Sequence, residues 1–116
     1  MTHKILVVDD DDSLRSFVAK AIANEGYDVA EAADGETAWD MVQANAYDLL
    51  LTDIVMPNMD GVELSTKAIC HDPKIKIMFM TGFTGMATEL DNKTTVVAKP
   101  FHLKDIVERV KERLQN

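Results

Sequence analysis

Cysteine is almost missing from this 116-residue chain: Cys70 stands alone, which rules out an internal disulfide and a structural zinc centre built on several thiolates. No apolar run approaches the ~20 residues that a membrane-spanning helix needs, and Met1–Ile5 lacks the pattern of a signal peptide. A cytoplasmic location without membrane insertion is therefore expected. Bases are outnumbered, 12 against 20 acids, for a formal net charge of −8 and a pI near 4.7. That balance argues against a nucleic-acid partner held by phosphate neutralisation. Prolines number 3 and glycines 5, and no linker, repeat or low-complexity segment is present. The last helical stripe stops about one turn before the end, so a single domain over 1–116 with no output domain is expected. His3, His71 and His102 lie far apart and suggest no metal site.

What is there is a soluble, globular composition, 47% hydrophobic and 28% charged, with its charge unevenly placed. Residues 1–63 hold 14 acids against 3 bases, and residues 64–116 hold 6 acids against 9 bases. The densest cluster is Asp9, Asp10, Asp11 and Asp12. Like charges this close need free exposure to water or a compensating partner. A solvated turn capping a helix is one reading, a cation site the other.

Short β-like runs alternate with helical ones, the mark of an α/β fold around a parallel sheet. Lys4–Val8 is an apolar, β-branched run. Leu14, Phe17, Val18, Ala21 and Ile22 follow at helical spacing, with Ser13 or Asp12 as cap and Gly26 as stop. Tyr27–Ala32 reads as a second strand, and Ala38, Met41 and Val42 mark a second helix. Asp48–Thr52 is continuously apolar after its first residue, as in a central strand buried on both faces. A loop with Pro57 and Gly61 leads to a helix near Val62–Cys70; Pro73 breaks it before a strand at Lys74–Met80. Thr94–Ala98 is the last strand, and Leu103, Ile106, Val107, Val110 and Leu114 give a closing amphipathic helix. Five strands and five helical slots result. The fourth slot is weak: Gly82, Gly85, Thr84, Thr88, Thr94 and Thr95 are poor helix formers, so a short or mobile fourth helix is expected there.

In an open parallel sheet, ligands bind beyond the carboxyl ends of the strands. Asp9 and Asp10 follow the first strand, Asp53 the third, Thr81 closes the fourth and Lys99 the fifth. Three carboxylates, a hydroxyl and an ammonium in one pocket suit a hard divalent cation and a phosphoryl group. Each element alone is commonplace; their conjunction in strand order is not.

These residues resemble the receiver domains of two-component response regulators over essentially the whole chain. The matching pieces are Leu6-Val7-Val8-Asp9-Asp10, Asp53-Ile54-Val55-Met56-Pro57 with Met59-Asp60-Gly61, Met80-Thr81-Gly82, and Lys99-Pro100-Phe101. The resemblance implies a flavodoxin-like (βα)5 fold with sheet order 2-1-3-4-5. It implies that Asp53 is the phosphoacceptor and that Asp9, Asp10, Asp53 and the Val55 carbonyl serve Mg²⁺, Asp9 through water. Thr81 and Lys99 would contact the phosphoryl group, and the Lys99–Pro100 bond would be cis. A histidine kinase or histidine phosphotransferase would be the donor, and the domain a monomer. Many receivers carry an aromatic ring three residues before the Lys; here Val96 stands there, so any switch must work by backbone shift or by ordering of the weak segment.

A narrower similarity links Thr52-Asp53-Ile54-Val55-Met56-Pro57, Lys76–Phe83 and Lys99-Pro100-Phe101-His102-Leu103 to the CpdR family of stand-alone receivers in alphaproteobacteria. It implies cell-cycle control of the ClpX/ClpXP protease system by the unphosphorylated form. The alternatives are a chemotaxis-type or phosphate-sink receiver, an aspartyl-phosphate phosphatase or phosphotransferase, and a flavodoxin-like small-molecule binder. The enzyme would normally need a cap domain or a general acid two residues after Asp53, where Val55 stands. The binder would need a phosphate loop where four aspartates stand. The expected role is a phosphorylation-controlled interaction module, not an enzyme. Met86 is a candidate exposed partner contact, and Phe83 is either core or such a contact. Cys70 is expected in the core or on the flank of the third helix, and most methionines are assigned to the core.

Overall fold

Near-continuous runs of Ile, Leu and Val become central strands because both of their faces can be buried at once. The computed structural model describes residues 2–81, 95–98 and 103–115. They form β1 (Lys4–Val8), α1 (Asp12–Ala23), β2 (Asp28–Ala32), α2 (Gly35–Ala44), β3 (Leu49–Asp53), α3 (Gly61–His71), β4 (Lys76–Thr81), β5 (Thr95–Ala98) and a last described helix, α4 (Leu103–Gln115). The strands are parallel in the order β2-β1-β3-β4-β5, the flavodoxin-like arrangement expected from the sequence. The expected fourth helical slot, with Phe83 and Met86, lies outside the described residues, as do Lys99, Pro100 and His102.

The pleat sorts alternate residues to opposite faces. Leu6, Val8, Leu50, Ile77 and Phe79 pack with Ala38 and Val42 of α2 and Leu64 and Ala68 of α3. Ile5, Val7, Leu49, Leu51, Met78 and Met80 pack with Val18, Ala19 and Ile22 of α1 and Ile106 and Val110 of α4. β1, β3 and β4 thus each feed two cores, and helices cover both sides of the sheet. Strand ends shift by one or two residues from the sequence expectation: β3 runs through Asp53, and β4 begins at Lys76.

Two expectations for α1 need correction. Its N-cap is neither Asp12 nor Ser13 but Asp11, whose Oδ1 accepts the Leu14 N–H at 3.1 Å. Phe17 is not in the buried stripe; it is 62% exposed. The stripe that meets the sheet is Leu14, Val18 and Ile22, spaced by four, and Phe17 sits one residue around the helix on its flank. Leu103, at the first turn of α4, is also exposed, whereas Val107 and Leu114 are partly buried. Trp39 packs against the α2–α3 core with its ring edge-on to His71 and under the Lys67 ammonium. Cys70 is exposed on α3, and Met56, Met59, Met78 and Met80 are buried.

Candidate functional site

β1 and β3 lie side by side at the centre of the sheet, and both end on the same rim. Asp9 and Asp10 follow β1, and Asp53 is the last residue of β3. Each of the three offers a carboxylate oxygen, and these oxygens lie within 4.8 Å of one another. Asp9 is fully buried, Asp53 is 7% exposed, and Asp10 faces solvent. Two unit charges ~4–5 Å apart repel by on the order of 1 kcal/mol in water and several-fold more near a protein surface. Two such groups at the floor and one at the mouth make a cation-seeking pocket. An all-oxygen, three-carboxylate set with solvent access fits Mg²⁺, which keeps several waters and takes one or two carboxylates.

Local hydrogen bonds hold the floor. The Asp9 Oδ1 accepts the Asp11 N–H at 2.9 Å, while Asp11 caps α1. On β3, the Thr52 hydroxyl donates to the Asp53 carbonyl at 2.9 Å. The Ile54 N–H donates to the Met80 carbonyl at 3.2 Å, and the Gly61 N–H to the Ile54 carbonyl at 2.7 Å. The turn between them passes through Asn58 in the left-handed region (φ 68) and is anchored by buried Met56 and Met59. Gly61 is needed because a Cβ there would collide with the Asp53 carbonyl and the Ile54 Cα. Gly35, at the start of α2, is needed for the same kind of reason: a Cβ would lie 2.6 Å from the Met59 carbonyl oxygen.

The remaining expected site residues stand as follows. Val55 is exposed, two residues beyond Asp53. Thr81 is the last residue of β4 and pairs with Ala98 at the end of β5, so the β4 and β5 ends share the rim with Asp53. Lys99, next in sequence after Ala98, is outside the described residues. Arg15 was not singled out in the sequence; its signal was a lone arginine one turn into α1, after four aspartates. It donates through Nη1 to the Asp9 carbonyl (2.9 Å) and the Asp12 carboxylate (2.8 Å), and through Nε to Glu31 (3.1 Å). Burial pulls its pKa down, but hydrogen bonds and charges from Asp12 and Glu31 outweigh that and hold it above the ordinary value.

With this geometry in place, residues 5–111 match the response regulator receiver domain family. The chain belongs to that family. Receiver domains are signalling modules rather than catalytic ones. Among curated relatives, the chain is 43% identical over 115 residues to the response regulator receiver protein CpdR of Brucella abortus, covering 96% of both chains. It is 34% identical to sporulation initiation phosphotransferase F of Bacillus subtilis, covering 98% of this chain and 95% of that one. The solved receiver domain of the hybrid histidine kinase CckA matches with a TM-score of 0.86 at 38% identity, over 97% of this chain and 99% of that one. Among the described residues, no helix is long and apolar enough to cross a membrane.

Proposed function

We propose that this receiver is a Mg²⁺-dependent phosphorylation switch with Asp53 as the phosphoacceptor. The observation that carries the proposal is the convergence of Asp9, Asp10 and Asp53 at the ends of adjacent strands. Asp9, Asp10 and Asp53, with the Val55 carbonyl, would hold the cation; bound there, it would neutralise charge on the carboxylates and on an incoming phosphoryl group. An Asp53 oxygen attacks the phosphorus of a phosphohistidine on a histidine kinase or phosphotransferase. A P–O bond forms, the P–N bond breaks, and the electron pair returns to the imidazole, which takes up a proton. Thr81 and Lys99 contact the transferred group. Exposed Val55 offers no proton where a phosphatase would need an acid, which favours a switch over an enzyme.

For output, the similarity to CpdR supports control of a ClpX/ClpXP protease system in the cell cycle, active when unphosphorylated. On this reading the chain acts in the cytoplasm as a monomeric, single-domain regulator. The test is labelling with acetyl phosphate or a phosphohistidine donor in Mg²⁺. Wild type should label and Asp53→Ala should not; label retained in the variant would place the nucleophile elsewhere.

A further inference from the structure

We propose that Arg15 is the positioning residue that holds the acidic pocket in a cation-binding shape, an inference that rests on the metal-dependent function proposed above. The Arg15 side chain is only 14% exposed, and its guanidinium spans three elements. Nη1 bridges the Asp9 carbonyl and the Asp12 carboxylate, and Nε reaches Glu31 on β2. Asp9 is thereby fixed at both ends: its carbonyl by Arg15 and its carboxylate Oδ1 by the Asp11 N–H. The β1–α1 turn that carries Asp9 and Asp10 is tied to α1 and to the edge strand.

The charge is placed as selectively as the hydrogen bonds. Arg15 pairs with Asp12 and Glu31, and neither belongs to the convergent carboxylate set. It therefore orders the turn without pairing off the three carboxylates that would take the cation. Lysine cannot reproduce this, because a single ammonium lacks the planar fork that serves several acceptors at fixed angles.

Electrostatics and positioning predict opposite signs. Removing a positive charge beside an acidic pocket strengthens cation binding if charge alone matters. It weakens binding if Arg15 shapes the pocket, since groups that orient metal ligands are typically worth 10–100-fold in affinity.

The experiment is calorimetric titration of the full chain with MgCl₂, well below the melting temperature, for wild type, Asp10→Asn, Arg15→Lys and Arg15→Met. Mg²⁺ affinity should fall about ten-fold or more in both Arg15 variants. The rate of phosphorylation from acetyl phosphate should shift to higher Mg²⁺ and recover to within about three-fold of wild type at saturation. A purely structural role would lower the melting temperature and leave the Mg²⁺ affinity of the folded protein unchanged. Unchanged or tighter binding in Arg15→Met overturns the inference, as does wild-type affinity in Arg15→Lys, the variant better placed to fold. If wild type binds and Asp10→Asn does not, such a result removes the role of Arg15 and leaves the pocket standing; no binding by wild type removes both.

Discussion

Gly61 shows how tightly a single residue controls this site. A Cβ at that position would press on the backbone of Asp53 and Ile54, atoms that cannot swing away as a side-chain tip could. Gly61→Ala should therefore destabilise the domain by about 1–3 kcal/mol and slow phosphorylation of Asp53, read from urea melts and labelling rates; wild-type values for both would contradict the packing described. Asp34 offers a second residue-scale test. It caps α2 by accepting the Thr37 N–H at 2.7 Å. That backbone hydrogen bond, the largest of its influences, holds its carboxyl below the ordinary value. A folded-state pKa below the unfolded one gives stability that is present above the unfolded value, near ~4, and is lost as pH falls through the folded value. Asp34→Ala should cost about 1 kcal/mol at neutral pH, with the gap to wild type closing below about pH 4. Urea melts at pH 7 and pH 3 check this, and a gap that did not shrink would mean that the cap is not ionised.

At the level of elements, the β1–α1 unit brings two carboxylates to the rim and the β3–α3 unit one, and each then caps its helix with a different aspartate. Asp11 caps α1 and Asp60 caps α3, so the capping task and the candidate cation task fall to separate residues. Repulsion among Asp9, Asp10 and Asp53 should then oppose folding whenever no cation is bound. Asp10→Asn is expected to raise the cation-free melting temperature, by roughly 4 °C if on the order of 1 kcal/mol is relieved. It should also lose most of the stabilisation that Mg²⁺ gives wild type. An undiminished Mg²⁺ response in calorimetric scans would exclude Asp10 as a ligand. The strands themselves were legible in the sequence because parallel strands buried on both faces read as unbroken apolar runs; β1 is found at the expected residues, and β3 is displaced by one. What the sequence hid depends on packing. Asp12 and Ser13 look fit to cap α1 until the chain turns one residue earlier, at Asp11, and Phe17 looks like core until the stripe at Leu14, Val18 and Ile22 claims the sheet. The contacts of Arg15 with the Asp9 carbonyl, Asp12 and Glu31, and the close approach of Gly61 to Asp53 and Ile54, exist only once the chain is folded.

For the molecule as a whole, the sheet order places β1, β3 and β4 side by side, so Asp9, Asp10, Asp53 and the end of β4 at Thr81 meet on one rim. The convergence of Asp9, Asp10 and Asp53 was legible from strand order, because each follows or closes a strand on that rim. The three carboxylates all come from the acidic first half of the chain, whereas Thr81 and Lys99 lie in the sequence of the more basic second half. A signal leaving the domain must pass from that rim to a partner. On the proposed output, Asp53→Ala should bind a ClpX-type unfoldase whether or not a phosphodonor is present, whereas wild type should lose binding on phosphorylation; tighter binding by phosphorylated wild type would reverse the direction of control. All of this depends on where the phosphoryl group goes. The most direct measurement is peptide mapping of the full chain after acetyl phosphate treatment, with the acyl phosphate trapped by borohydride reduction, in Mg²⁺ and in excess chelator. The account predicts modification at Asp53 alone, present with Mg²⁺ and absent with chelator. Modification at any other residue, or at Asp53 to the same extent in chelator, would contradict it.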